Sequence, residues 1–354
     1  MLSYSSRLTA RQQEILMGVL TSFVETAEPV SSKTLARKYV QNLSPATIRN
    51  ELAELTEIGY LQQPHTSAGR IPTDRAYRFY VDQVRRLPPL SSRDMGRIQI
   101  GYGEARPLAL DALLEQTSKL LSTLTRQASL ILLPNLSKIV FSQVRFIKVR
   151  PRLAQVIVVA KNGLVQNRPV EMDEDLSQEF LDKIGRYLNE EFRDLTLGEV
   201  RRRVSAQMLE HKREFDVLYR EAQRMSQKAF LEAPAEGDEF YLGGTNHILD
   251  QPEFQADLDK MRALLEAFEE KERLISILDR CMEAEGLFVS IGSENEVDAM
   301  NDCALVMRTY GDGSQDLGTL GVVGPKRMEY PRIMALVDKT ASTLSLFIAA
   351  ESGL

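Results

Sequence analysis

Apolar residues recur through the first ninety positions with the 3.6-residue period of short amphipathic helices. Ile15, Leu16, Val19, Leu20, Phe23 and Val24 form one stripe behind a Thr9-x-x-Gln12 capping box, and Glu28-Pro29 ends it. Val30-Ser31-Ser32 starts a shorter helix with Leu35, Ala36 and Tyr39 inward, and Gln41-Asn42-Leu43 makes the turn after it. A third helix opens at Ser44-Pro45, a cap followed by proline at the first helical position. It carries Ile48, Leu52, Leu55 and Ile58, and Gly59 stops it. The pattern then shifts to a short β-like pair around a polar tip, Tyr60 to Pro72, followed by a helix capped by Thr73. Two short helices on a tight turn with a hairpin behind them predict a winged helix-turn-helix.

Beyond it, Arg85 to Ser92 reads as a linker, because Pro88-Pro89 cannot continue a helix. After a weakly patterned stretch comes a helix over about 110–128, then strand-like runs at 130–133, 139–149, 153–160 and 164–170. Their β-branched content and the Lys161-Asn162-Gly163 turn predict an antiparallel sheet. Residues 176–232 turn helical with alternating charges. A short β-like piece at Phe240-Tyr241-Leu242 precedes a long helix over about 252–284. Strands return at 287–291, 303–310 and 319–323, and a helix over 330–349 closes the chain. Strands, then helices, then strands again fit an α+β fold with a helical insertion.

The third helix has a chemistry to match its shape. With Ile48, Leu52 and Leu55 inward, its period turns Ala46, Thr47, Arg49, Asn50 and Ala53 outward. Arginine suits guanine, asparagine suits adenine, and alanine or threonine methyls suit thymine. Ser44 caps the helix or donates to a phosphate. In the hairpin, the tip His65-Thr66-Ser67 leads to Gly69, which permits close backbone approach, and Arg70, which suits a minor groove or a phosphate. Arg75 and Arg78, one turn apart on the next helix, suit the DNA backbone. Each taken singly is an ordinary solvated residue; cap, turn and hairpin together favour DNA contact.

Charge is distributed accordingly. The net charge of −6 argues superficially against nucleic acid, yet residues 1–90 hold 11 Lys/Arg against 8 Asp/Glu, leaving 33 against 42 for the rest. At 354 residues, 43% hydrophobic and 27% charged, the chain has core material for two or three globular domains. No apolar run reaches membrane-spanning length, and the sequence start lacks the apolar stretch of a signal peptide. Cys281 and Cys303 make no disulfide framework and fit a reduced, cytoplasmic protein.

Enzymatic readings find little support. His65, His211 and His247 lie far apart, and neither H-E-x-x-H nor C-x-x-C occurs, so no metal or other cofactor is expected. Gly318, Gly321 and Gly324 lead into Pro325-Lys326-Arg327 where a Walker loop needs Gly-Lys-Ser/Thr. A tight turn is the better reading, the alternative being that Lys326 and Arg327 hold an anion or a partner acid. Glu283, Glu285, Glu294 and Glu296 read as a solvated acidic surface.

The stretch SPATIRNELAELTEIGYLQQPHTSAGRIPTDRAYRFYVDQV resembles the DNA-binding end of the HrcA heat-inducible transcription repressors. PVEM, GGTNHILDQPEF and IGSENEVDAMNDCALVMRTYGDGSQDLGTLGVVGPKRMEYPRIMALVDKTASTLS resemble that family's later blocks, in order and over nearly the whole chain. The resemblance implies a winged helix over 1–88 and a GAF-like domain in two parts, 104–194 and 269–354. Between those parts it implies an inserted, mainly helical dimerising domain over 195–268. It also implies a homodimer that represses chaperone operons from a CIRCE-type inverted repeat and depends on the chaperonin for its active fold. Leu209, Phe215, Leu218, Tyr219 and Phe230 are the apolar anchors expected in the dimer interface. The competing reading is a small-molecule-responsive regulator that senses a ligand through the GAF-like domain.

Overall fold

The computed structural model describes residues 8–65, 68–103, 110–132, 140–161, 165–210, 217–231, 240–255, 257–269, 281, 286–295, 297–313 and 316–351. The fold is mixed α+β, and three groups of elements build it.

The first group is α1 (Ala10–Thr26), α2 (Ser32–Lys38), α3 (Pro45–Glu57), the ribbon β1 (Leu61–Gln62) and β2 (Ile71–Pro72), and α4 (Asp74–Asp82). Each of the first three helices begins where the sequence offers a hydroxyl cap. Thr9 and Gln12 close a reciprocal capping box, Ser31 accepts from the Thr34 amide, and Ser44 accepts from the Thr47 amide at 3.1 Å. Ile15, Leu16, Leu35, Ile48, Leu52 and Leu55 meet in a dry core between the helices. Thr73 departs from expectation. It stands at the start of α4 without capping it, because its hydroxyl donates to the Gly59 carbonyl at 2.8 Å and to that of Tyr60 at 3.0 Å.

A non-helical linker leads to α5 (Ser92–Gly103), a helix in the stretch where the pattern was weak. Ser91 caps it, and buried Tyr102 joins it to α6 (Leu110–Thr125) through Thr117 at 2.9 Å. The second group centres on a five-stranded antiparallel sheet in the order β7-β3-β10-β9-β8. Its strands are β3 (Ala128–Leu132), β7 (Phe240–Gly243), β8 (Leu287–Ile291), β9 (Cys303–Gly311) and β10 (Asp316–Pro325). Both faces are covered, which explains the nearly unbroken apolar runs of β3, β9 and β10. Ile131, Val306, Leu320 and Val322 face the core shared with α6 and the C-terminal helix Tyr330–Glu351. Leu130, Leu132, Leu305 and Val323 face the other way, toward Ile248, Phe254, Leu264 and Phe268. Those four belong to α10 (Asn246–Leu249), α11 (Pro252–Gln255) and α12 (Leu258–Glu269), the described part of the long helix expected over 252–284.

The third group is a separate three-stranded meander, β4 (Phe141–Arg150), β5 (Leu153–Ala160) and β6 (Val165–Glu171). Three helices accompany it: α7 (Gln178–Glu191), α8 (Leu197–Glu210) and α9 (Val217–Ser226). The strand runs before residue 171 therefore do not share one sheet. β3 joins the five-stranded sheet, and β7 returns to pair with it, Leu130 opposite Leu242. A strand that falls within the insertion expected over 195–268, β7, therefore completes the five-stranded sheet.

Both cysteines are fully buried and free of any disulfide, and burial pushes each thiol up to about 12. Only the thiolate attacks thiol reagents. In the folded protein at pH 8, Ellman's reagent is expected to find neither thiol, and both should appear as the protein unfolds on heating. Stoichiometric reaction of either in the native state would contradict the core placement.

Candidate nucleic-acid interface

α3 presents one greasy and one polar face. Ile48, Leu52 and Leu55 are buried, whereas Ala46, Arg49, Asn50 and Ala53 are exposed and Thr47 is half-buried. The Ser44 hydroxyl is taken up by the cap, being also 2.9 Å from the Thr47 hydroxyl. Neither Arg49 nor Asn50 has a side-chain partner among the described residues. A row of small and polar side chains on the first two turns, with the positive end of the helix dipole behind it, is what a groove of DNA can accept.

The ribbon beside it is held by its root. Val30 and Arg70 exchange two backbone hydrogen bonds of 2.9 Å, which ties the ribbon to the α1–α2 turn. Gly69 is required there, since a Cβ would stand 2.5 Å from the Val30 carbonyl oxygen. His65 is exposed at the described edge of the tip, while Thr66 and Ser67 lie outside the described residues. Arg70 sits at the root, half-buried, with Nε donating to the Thr56 hydroxyl at 3.0 Å.

Arg75 and Arg78, expected to suit the DNA backbone, both make contacts within the protein. Arg75 donates to the Ile58 carbonyl at 2.6 Å, and its guanidinium lies 4.4 Å above the Tyr60 ring. Arg78 crosses to the five-stranded sheet. It pairs with Glu294, donates to the Val289 carbonyl at 2.8 Å, and lies 3.9 Å from Asp82. Burial draws the Arg78 proton affinity down, but the hydrogen bond and charge of Glu294 outweigh it and leave the group above its ordinary value.

Arg78 belongs to a seam that sequence reasoning missed. Asp74 accepts from Lys326 Nζ at 2.8 Å and from the Ser293 amide at 3.2 Å. Gly292 turns with φ +56°, and a Cβ there would collide with the Asp74 carboxylate. Arg327 pairs with Glu253, and donates to the Gln251 side-chain oxygen at 3.2 Å and to the Val24 carbonyl at the end of α1 at 3.4 Å. Tyr77 and Tyr80 meet buried Tyr330 with ring centroids 6.2 and 6.0 Å apart. Lys326 and Arg327 therefore hold partner acids, the alternative to the tight-turn reading, and Glu294 is a partner rather than solvated surface. The usable sequence signal was the acid and base spacing of Asp74-x-x-x-Arg78, read against the Pro325-Lys326-Arg327 turn.

Among the expected dimer anchors, Phe215 lies outside the described residues. Leu209, Leu218, Tyr219 and Phe230 fall within helical backbone, but their side chains are outside the description. Among the described residues no His, Cys, Asp or Glu cluster could hold a metal ion.

Comparison with known proteins adds the following. The family model described as HrcA protein C terminal domain matches residues 111–334. The heat-inducible transcription repressor HrcA of Syntrophobacter fumaroxidans is 41% identical over 341 residues, 96% of this chain and 97% of its own. That of Geobacter sulfurreducens is 39% identical over 344 residues, 97% of this chain and 99% of its own. A crystal structure of a hypothetical protein is similar at 26% identity with a TM-score of 0.65, covering 97% of this chain and 98% of that one.

If the seam fixes α4 to the sheet, Arg78→Ala and Glu294→Ala should each cost about 1–2 kcal/mol in urea unfolding, discounted for partial solvent screening. The double variant should lose less than the sum of the two. Strict additivity would mean that the pair does not couple the two groups of elements.

Proposed function

The chain belongs to the HrcA family of heat-inducible transcription repressors, and from that premise we propose how it reads DNA and how heat silences it. It is a repressor of heat-shock genes and not an enzyme. No described helix is long and apolar enough to cross a membrane, and we assign the protein to the cytoplasm, where its DNA is.

In this reading residues 1–88 act as a winged helix. α3 enters the major groove with Ala46, Thr47, Arg49 and Asn50 toward base edges, and Ser44 at the helix start approaches a phosphate. The ribbon lies alongside, its tip His65, Thr66 and Ser67 near the backbone and Arg70 near the minor groove. Arg75 and Arg78 are left out, since their guanidiniums already serve the protein. The single observation that carries the reading is the contrast along this region. Arg49 and Asn50 stand exposed, with no side-chain partner among the described residues, beside a buried apolar stripe, while Arg75 and Arg78 are anchored on the protein.

A lone winged helix buries little surface, so two copies on an inverted repeat of CIRCE type are proposed. The meander and its helices, about 140–231, are the proposed dimerising insertion, set into a GAF-like domain built on the five-stranded sheet. Exposed Ile147, Val149 and Val165 on that meander support it, alongside the helices that carry Leu209, Leu218, Tyr219 and Phe230. Dependence on the chaperonin is proposed from the fold's long-range closure, since late-pairing sheets leave apolar surface open during refolding.

Arg49→Ala or Asn50→Ala should cost about 1–3 kcal/mol on the operator and relax base preference at one position. Equal losses on operator and random DNA, measured by anisotropy at fixed salt, would remove α3 from the recognition role. For the heat response, operator binding after a brief heat step should return with chaperonin and ATP and remain low without them. Full unaided recovery would sink the chaperonin dependence and leave DNA recognition standing. Sedimentation of an Ile147→Asp, Val149→Asp variant should show a shift toward monomer; an unchanged dimer would place the interface elsewhere.

A further inference from the structure

A cleft of about 630 Å³ opens where the end of α1, the linker helix α5, the end of α6 and the turn after β10 converge. Its lining is unusual in charge. Arg93 and Arg97 stand one turn apart on the exposed side of α5, and Arg126 joins them from the turn after α6. None of these three has a side-chain partner among the described residues. Arg327 and Arg332 complete the wall, each already anchored: Arg327 on Glu253, and Arg332 on Asp94 at 3.1 Å and the Leu124 carbonyl at 3.3 Å. The acids that face the cleft are Asp94 and Glu329. Asp94 is spent on Arg332 and on the Ser91 hydroxyl at 2.9 Å, so the wall keeps a clear cationic excess.

A second, independent observation lies at the floor. Gln127 lines the cleft, is more than nine-tenths buried, and its side-chain oxygen has no hydrogen-bond partner among the described residues. A buried acceptor left unpaired is costly, and what it lacks is a donor, such as the P–OH of a partly protonated phosphate. Arg126 adds to this. It holds a left-handed φ of +55°, a conformation that glycine adopts without strain, and thereby sets an arginine at the cleft's edge.

We propose that this cleft is a binding site for a small phosphate-bearing anion. Arg93, Arg97 and Arg126 would supply the charge and paired N–H donors, and the Gln127 side-chain oxygen would accept from a P–OH of the ligand. Planar guanidiniums match phosphate oxygens two at a time, so three that are unspent favour a phosphate over a halide. The site also touches both the DNA-facing helices, through Val24, and the sheet, through Arg327. A ligand there would bias how the two sit together in proportion to its differential affinity for each arrangement.

The test uses full-length protein and sodium pyrophosphate, with inorganic phosphate and ATP as further arms and sodium chloride at matched ionic strength. Pyrophosphate should raise the Tm saturably, and the chloride control should not. In the Arg93→Ala, Arg97→Ala, Arg126→Ala variant, whose replaced side chains have no partner among the described residues, Kd by calorimetry should weaken roughly ten-fold or more. Gln127→Leu should weaken it less and without changing the salt dependence. An equal Tm rise in the wild type and the triple variant, or one matched by chloride, would overturn the proposal. So would loss of DNA affinity in the triple variant with no pyrophosphate binding by the wild type, which would give the cleft to the DNA backbone instead.

Discussion

The ion-paired seam between α4 and the five-stranded sheet is the constraint on which the rest of the structure turns. A half-buried guanidinium such as Arg78 loses hydration, and only a partner of fixed geometry makes good the loss. Glu294 and the Val289 carbonyl supply it, and Asp74 makes the matching contact with Lys326 one helical turn away. Such contacts add modestly to stability, but they are directional, and they set the orientation of α4 where apolar packing alone would tolerate sliding. The Tyr77, Tyr80 and Tyr330 cluster supplies that apolar packing beside them.

Orientation then passes from the sheet to the surface proposed to meet DNA. α4 begins at Thr73, whose hydroxyl holds the Gly59–Tyr60 turn, and that turn ends α3. Arg75 clamps the same turn from the other side through the Ile58 carbonyl and the Tyr60 ring. The arginines that looked alike in sequence therefore divide the labour: Arg75 and Arg78 keep α3 and the ribbon in register with the sheet, and Arg49 is left to face outward.

Much of this was legible before any coordinates. Caps at Thr9, Ser31 and Ser44 announce helix starts because the hydroxyl and the amide it satisfies are only three residues apart. The stripe of α3 follows from local geometry in the same way, whereas glycine is needed at 69 because the distant Val30 carbonyl approaches there. What escaped is what depends on distance along the chain. Nothing local distinguishes an arginine that meets a phosphate from one that meets a glutamate two hundred residues later, as Arg78 does. The two sheets were merged for a related reason. β3, β4, β5 and β6 have similar β-branched character, and only the return of β7 to β3 reveals that one belongs apart. Thr73 shows a third limit: its hydroxyl had two possible uses, a cap or a tether, and tertiary packing chose the tether.

The pairing of β3 with β10 carries a consequence for the chain as it is made. Ile131 sits opposite Leu320, so β3 waits for the central strand of the sheet, β10, from almost the far end of the polypeptide. At about 5–20 residues per second, that wait on the ribosome lasts roughly 10–40 s. The three N-terminal helices have their caps and core within the first sixty residues and can fold early, well before the sheet that orients them exists. Each new molecule thus passes through an interval in which its N-terminal helices are formed but unanchored, with Ala128, Leu130 and Leu132 uncovered. The rate of translation between β3 and β10, more than half of the message, sets how long every nascent chain stays in that vulnerable state.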